Sequence, residues 1–275
     1  MDEQNIKDYL LPYVFAAALR GGEAIMKVYN SSSGYDVSLK SDQTPITDAD
    51  RAAHNVIKET LGPTRIPILS EEGREMEYEE RRNWEMFWLV DPLDGTVEFI
   101  NNNNEFTVNI ALMYRNEVVA GVIYVPYHKR LYFASKGHGA YVCEDILDEE
   151  YTYIIENAVR LPRITTPRDA QRVALSRSHT TAETLERIEQ LRAEHPNIEI
   201  VEQGSSYKFC MLAEGEADYY VRTTQTYEWD TAAGEIILSE AGGATLNIGN
   251  NSPLAYNKEE PQNPNFHCRS AVSRI

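Results

Sequence analysis

The sequence is poor in cysteine, in cationic side chains and in long apolar runs. Three cysteines (Cys143, Cys210, Cys268) lie far apart in 275 residues without a CxxC spacing. That disfavours both a disulfide framework and a thiolate zinc site, and reads as three reduced, mostly buried thiols. Lys and Arg number 26 against 43 Asp and Glu, a net charge of −17. Polymeric nucleic acid and anionic membrane are therefore repelled, and an anionic ligand needs a local feature to hold it. The apolar stretch Leu10 to Leu19, interrupted by Pro12 and Tyr13, falls short of the roughly 20 residues that cross a bilayer. Met1-Asp2-Glu3-Gln4 is acidic where a signal peptide would be basic, which predicts no transmembrane segment and a cytoplasmic chain.

What is present is a chain whose patterning changes along its length. Apolar positions recur at helical spacing from Tyr9 to Tyr29, broken only by Gly21-Gly22, predicting one long helix or two stacked ones. A second helix is predicted from Thr47 to Leu61, with Thr47 and Asp50 spaced as in a capping box. Ile66 to Leu69 and Phe87 to Val90 read as buried strands that lead straight into carboxylates. Phe106 to Met113, Val118 to Tyr124 and Arg130 to Ala134 read as an antiparallel meander. Between Cys143 and Asp169 the pattern weakens, which places a boundary between an α+β sub-domain over 1–145 and an α/β sub-domain over 146–275. The second half then alternates: strand Val173 to Ser176, helix Ala182 to Glu194, strand Ile198 to Val201, helix Ser205 to Glu214, strand Ala217 to Val221, helix Thr231 to Ala241.

The chemistry gathers in three acidic segments. In Trp88-Leu89-Val90-Asp91-Pro92-Leu93-Asp94-Gly95-Thr96, a dry strand delivers Asp91 to the carboxyl end of a sheet, where open α/β folds place ligands. Pro92, with Gly95 free to take positive φ, is expected to turn the chain so that Asp94 points back beside Asp91. Two adjacent carboxylates repel each other, and a hard divalent cation such as Mg²⁺ removes that cost. The Leu93 carbonyl is a further oxygen donor, and an ordinary Asp/Gly surface turn is the plainer alternative. Ser70-Glu71-Glu72-Gly73 repeats the device of a carboxylate at a strand end. Glu228-Trp229-Asp230-Thr231-Ala232-Ala233-Gly234 opens a helix with small residues suited to close packing, where Asp230 alone would read as an N-cap.

Together, in this order, the Glu-Glu, Asp-Pro-Leu-Asp-Gly-Thr and Trp-Asp-Thr-Ala-Ala-Gly segments resemble the inositol monophosphatase superfamily of lithium-sensitive, magnesium-dependent phosphatases. Six further segments are similar to its CysQ-type branch of 3′(2′),5′-bisphosphate nucleotidases: Asp42 to Asp50, Glu98-Phe99-Ile100, Glu105 to Leu112, Ser176-Arg177-Ser178-His179, Gly204 to Cys210 and Asn263-Pro264-Asn265-Phe266. The resemblance implies a layered α/β/α/β/α sandwich of the sugar-phosphatase type. It implies one Mg²⁺ on Glu71, Asp91 and the Leu93 carbonyl, a second on Asp91, Asp94 and Asp230, and leaves a third open.

Asp50, Glu71 and Thr96 would form the catalytic set, with Thr96 and Asp50 orienting a water and the Gly95 and Thr96 N–H groups cradling phosphate oxygens. Around the substrate the resemblance places Glu71, Leu93, Asp94, Gly95, Thr96 and Asp230, with Lys208, Arg222 and Ser205 on a second phosphate and His179 along the nucleoside. Taken singly, Lys208 and Arg222 read as solvated cations, His179 as a structural histidine and Asp50 as a capping residue. Val97 departs from the lysine frequent in relatives, and Thr223 to Tyr227 from a Gly- and Pro-containing loop.

The implied substrate is adenosine 3′,5′-bisphosphate, a by-product of sulfate assimilation and sulfotransfer, cleaved to AMP and phosphate. An inositol or sugar-bisphosphate phosphatase, or a non-catalytic phospho-ligand sensor, would be built on the same scaffold. Monomer or homodimer, and peripheral contact with the inner face of the membrane, stay open.

Overall fold

The computed structural model describes residues 10–32, 34–40, 44–146 and 150–275. Met1 to Gln4, Tyr9 and Asp42 lie outside them. The helices are α1 (Leu11–Tyr29), α2 (Asp48–Leu61), α3 (Tyr78–Arg81), α4 (Thr96–Ile100), α5 (Tyr151–Asn157), α6 (Ala182–Glu194), α7 (Tyr207–Glu214) and α8 (Glu228–Glu240).

Helix α1 runs unbroken through both glycines, whose lack of a side chain lets neighbours approach closely. A Cβ on Gly22 would lie 2.4 Å from the Tyr124 ring, and one on Gly21 2.9 Å from Ile57. Helix α2 starts as the capping box requires. The Thr47 hydroxyl accepts the Ala49 N–H at 3.1 Å, and Asp50 Oδ2 accepts the Thr47 N–H at 2.7 Å.

The strands are β1 (Val37–Leu39), β2 (Pro45–Thr47), β3 (Ile68–Ser70), β4 (Met86–Asp94), β5 (Thr107–Tyr114), β6 (Glu117–Val125), β7 (Arg130–Ser135), β8 (Ala140–Cys143), β9 (Val159–Arg160), β10 (Gln171–Ser176), β11 (Ile198–Gln203), β12 (Tyr219–Arg222), β13 (Ala244–Asn247) and β14 (Phe266–Arg269). Strands β3 to β9 form one sheet in sequence order, parallel between β3 and β4 and antiparallel thereafter. The second sheet has the order β11-β10-β12-β14-β13, with β10 parallel to both neighbours.

Three apolar clusters stack these elements into five layers. Helices α1 and α2 cover one face of the larger sheet through Phe15, Ile57, Trp88, Ile110 and Val122. Its other face (Phe87, Leu89, Met113, Tyr132) packs on α7 and α8, which also cover the second sheet at Ala174, Tyr220 and Phe266. Helix α6 closes the far side against Val173, Leu175 and Val221 through Ile188. The order is thus helix, sheet, helix, sheet, helix, the layering that the resemblance implies. It follows from strands apolar on both faces, which demand helices on both sides.

Several elements differ from the sequence reading. The hairpin of β1 and β2 and the strands β8, β9, β13 and β14 lacked a legible period, being four residues or fewer. Helix α5 and β9 fall where the pattern weakens, yet β9 pairs with β8 and Ile154 of α5 is buried in the first cluster, so both lie with the N-terminal layers. Helix α8 begins at Glu228, three residues early, so Asp230 is its third residue and Tyr227 the N-cap. The chain does not turn at Pro92. It stays extended to Asp94, with an irregular register between Asp91 and Asp94, and turns at Gly95, whose φ is +91°.

Gly234 sets the spacing of the central helices, because a Cβ there would sit 2.4 Å from Phe209 Cγ. Helix propensity favours alanine by about 1 kcal/mol, whereas overpacking a closed core costs about 1–3 kcal/mol. Gly234→Ala is therefore expected to lower stability in urea unfolding. A more stable variant would show that α7 and α8 have room to separate.

Candidate active site

Residues Ser70 and Val90 are paired in register on parallel neighbours, so the next residues, Glu71 just past β3 and Asp91 still within β4, stand side by side. The Glu71 N–H donates to the Val90 carbonyl at 3.0 Å and fixes that level. Asp230 arrives from the first turn of α8, where its Oδ2 accepts the Tyr227 N–H at 2.8 Å. Oxygens of Glu71, Asp91 and Asp230 all lie within 4.8 Å of one another.

Asp91 is 1 % exposed, and burial first, then the charges of Glu71, Asp94 and Asp230, push its carboxyl well above the usual carboxylate range. Loss of water, then Asp94 and Glu71, do the same to Asp230. Three hard oxygen donors whose charges oppose one another fit a divalent cation of the Mg²⁺ kind. Lys40 partly offsets the repulsion, its Nζ donating to Glu71 Oε1 at 2.7 Å.

Asp94 stands beside this trio rather than within it. Its Oδ2 accepts the Ser206 N–H at 2.5 Å and the Asn109 amide at 3.3 Å. Ser206 in turn donates from its hydroxyl to Asn109 Oδ1 at 2.7 Å. Asn109 and Thr107 were visible as polar positions inside an otherwise apolar strand, the mark of buried hydrogen bonding. Leu93 buries its side chain, and its carbonyl lies 3.5 Å from the Thr96 hydroxyl.

Asp50 serves its helix cap and the site at once. While Oδ2 holds Thr47, Oδ1 accepts the Thr96 hydroxyl at 3.0 Å. Asp50 is 1 % exposed, and burial raises its pKa against the pull of these donors.

Glu71, Asp94, Gly95, Thr96, Val97, Glu98, His179, Ser205, Lys208, Arg222 and Asp230 line one solvent-open cavity. Asp50, Asp91 and Leu93 do not line this cavity but adjoin its wall: Asp50 and the Leu93 carbonyl at the Thr96 hydroxyl, Asp91 beside Glu71 and Asp230. Lys208 is no solvated cation: it is 2 % exposed. Its Nζ donates to the carbonyls of Ser205 at 2.6 Å and Gln203 at 3.0 Å and sits 5.3 Å from the Tyr220 ring centre. Burial, and then the Arg222 cation, bring it down to about 8. Arg222 is half-buried, and among the described residues its buried Nε has no hydrogen-bond partner. Ser205 adopts a left-handed φ of +50°, and His179 is exposed at the rim.

A layered α/β sandwich with an acidic cluster at the carboxyl end of its larger sheet belongs to the class of sugar-phosphatase folds. The family model of the inositol monophosphatase family matches residues 7–271, and the chain belongs to that family. It is 42% identical over 263 residues to the 3′(2′),5′-bisphosphate nucleotidase CysQ of Shigella flexneri, covering 94% of this chain and 98% of that one. The crystal structure of CysQ from Bacteroides thetaiotaomicron, a bacterial member of the family, matches with a TM-score of 0.86 at 44% identity, covering 96% of this chain and 99% of that one. The suhB protein of Bartonella henselae, at 24% identity and a TM-score of 0.72 over 96% and 94% of the two chains, shares the fold. No helix among the described residues is long and apolar enough to cross a membrane.

The raised carboxyls fix a sign. The folded chain keeps protons on Asp91 and Asp230 that the unfolded chain releases above about pH 4, so the metal-free protein loses stability as pH rises from there through the folded pKa values. Asp91→Asn is expected to raise the metal-free melting temperature at pH 7, by about 2–4 °C per kcal/mol of repulsion removed, and to flatten that pH dependence. Mg²⁺ should stabilise the wild type more than the variant. Calorimetry in EDTA and in Mg²⁺ decides, and a variant less stable than wild type in EDTA contradicts the repulsion.

Proposed function

We propose that the protein is a cytoplasmic Mg²⁺-dependent nucleotidase that hydrolyses the 3′(2′)-phosphate of adenosine 3′(2′),5′-bisphosphate, releasing AMP and phosphate, as in the disposal of sulfur-assimilation by-products. The observation that carries this reading is that one cavity joins the acidic cluster to a second, cationic wall of Lys208 and Arg222. A monophosphate ester needs the first only.

Glu71, Asp91, the Leu93 carbonyl, Asp94 and Asp230 would hold two Mg²⁺ ions. Bound there, the metal supplies Lewis-acid stabilisation of the phosphoryl charge and a more acidic water. The chain does the rest. The Thr96 hydroxyl, its proton directed onto Asp50 Oδ1, turns its lone pairs toward the cavity, where they accept a hydrogen bond from the attacking water. The Gly95 and Thr96 N–H groups orient phosphate oxygens. Water oxygen bonds to phosphorus, the ribose C–O–P bond breaks on the phosphorus side, and the sugar oxygen leaves with a proton. Arg222, whose Nε is unpartnered among the described residues, is suited to the remote phosphate. Lys208, two of whose protons are bound to carbonyls, supplies charge and holds the 203–205 turn.

Phosphate release from adenosine 3′,5′-bisphosphate, its 2′,5′ isomer, inositol 1-phosphate and fructose 1,6-bisphosphate at one Mg²⁺ concentration tests the reading. The adenosine bisphosphates should be best. Arg222→Ala should raise KM for them roughly 10- to 100-fold, the worth of a charged hydrogen bond, and leave inositol 1-phosphate little changed. KM for the bisphosphates should also climb as pH passes about 8 and Lys208 loses its proton. If inositol 1-phosphate proved the best substrate, the nucleotidase assignment would fail.

Li⁺ at roughly millimolar concentration and Ca²⁺ should both inhibit, the first by its single charge and the second by its looser coordination shell. Activity indifferent to both ions would contradict the assignment of the acidic cluster to catalytic Mg²⁺.

A further inference from the structure

The cavity contains a buried carboxylate that neither the metal cluster nor the phosphate contacts use. Glu98, in the first turn of α4, is 2 % exposed and lines the cavity. Its Oε1 accepts the Ser178 hydroxyl at 2.7 Å. Among the described residues no hydrogen-bond donor is assigned to Oε2. Gly204 packs so tightly on the side chain that a Cβ there would lie 2.3 Å from Glu98 Cγ, and the Gly204 N–H is itself tied to Glu105 Oε2 at 2.7 Å. The carboxylate is therefore held in one orientation between two segments of the C-terminal half.

A buried carboxylate repels phosphate and is costly unless a donor meets it. Glu98 Oε2 lies 3.3 Å from the point a Cβ on Gly95 would occupy, next to the backbone that cradles the phosphate to be removed. On a nucleoside bisphosphate the neutral donor nearest that phosphate is the hydroxyl on the neighbouring ribose carbon. The base and the other phosphate lie farther along the sugar.

We propose that Glu98 is a specificity-determining residue whose free oxygen accepts a hydrogen bond from the ribose hydroxyl vicinal to the scissile phosphate. That donor is the 2′-hydroxyl of a 3′,5′-bisphosphate and the 3′-hydroxyl of the 2′,5′ isomer, so one acceptor serves both. The assignment rests on the nucleotidase reading above and adds that the enzyme reads ribose.

The test compares adenosine 3′,5′-bisphosphate with its 2′-deoxy analogue. Wild type should prefer the ribose substrate in kcat/KM by roughly 10- to 100-fold, the range of a hydrogen bond to a charged group. Glu98→Gln should shrink that preference several-fold, and Glu98→Met should bring it near unity, with the deoxy substrate losing far less than the ribose one. A merely structural role would lower both substrates together and leave the ratio intact. The wild-type ratio needs no variant to fold: equal kcat/KM for the two substrates overturns the proposal, as does a ratio unchanged in a folded variant. If wild type hydrolyses neither compound but cleaves inositol 1-phosphate, it is the nucleotidase reading that fails, and the Glu98 assignment falls with it.

Discussion

Everything near the site answers to the repulsion among Glu71, Asp91 and Asp230. With oxygens within 4.8 Å, a pair of full charges costs about 3.5 kcal/mol or more at an effective dielectric constant near 20, and Asp94 adds to it. A loop could not hold such a set, because it would relax. Here each member is carried by a rigid element: Glu71 directly follows β3, Asp91 lies within β4 beside it, and Asp230 belongs to a helix whose neighbours are packed on both sides. Helices α2 and α8 both begin at the site, and each uses an aspartate in its first turn, Asp50 or Asp230, to accept the N-cap N–H. The positive end of each helix dipole thus faces the negative cluster and offsets part of its cost.

Placement of the second wall follows from the same residues. Asp94 Oδ2 is held by the Ser206 N–H, and Ser206 by Asn109, so the turn carrying Ser205 and Lys208 hangs from the acidic strand. Glu105 adds a second tie, accepting the Gly204 N–H and both Nε and Nη2 of Arg177 at 2.7 to 2.9 Å. The ends of the two sheets are therefore joined by hydrogen bonds, buried at Ser206 and Asn109 and exposed at Arg177, rather than by apolar packing alone. Positions of Lys208 and of the Ser176 to His179 segment are set relative to Asp94, not independently of it.

Much of this was legible beforehand because it rests on short-range rules. A dry strand ending in a carboxylate, used twice, foretells Glu71 and Asp91 at one sheet edge, and Thr47 with Asp50 foretells where α2 starts. The strands β8, β9, β13 and β14 escaped because two to four residues carry no usable period, and their pairing is decided by partners far along the chain. Helix α8 starts three residues ahead of the predicted Thr231 to Ala241 because Glu228 is fully buried and held by Lys258 and the Asn257 N–H, partners far along the chain. Lys208 defied the usual expectation for lysine, since only the folded turn offers its ammonium two carbonyls. Glu98 lies in one of the segments that carry the family resemblance, yet its burial depends on Ser178 and Gly204, which no local pattern brings near.

Among the described residues, the cavity is lined by four carboxylates (Glu71, Asp94, Glu98 and Asp230) and by two strong cations, Lys208 and Arg222. Val97, also on its wall, is apolar and adds none. A nucleoside bisphosphate entering such a cavity meets net negative charge unless a divalent cation has entered first. The two bindings must therefore favour each other, and by thermodynamic reciprocity the ligand raises metal affinity by the same factor that the metal raises ligand affinity. A net charge of −17 then works for the site rather than against it. It concentrates divalent cations around the chain and holds anions off, so that the phosphate ester is drawn in chiefly by the metal-loaded protein.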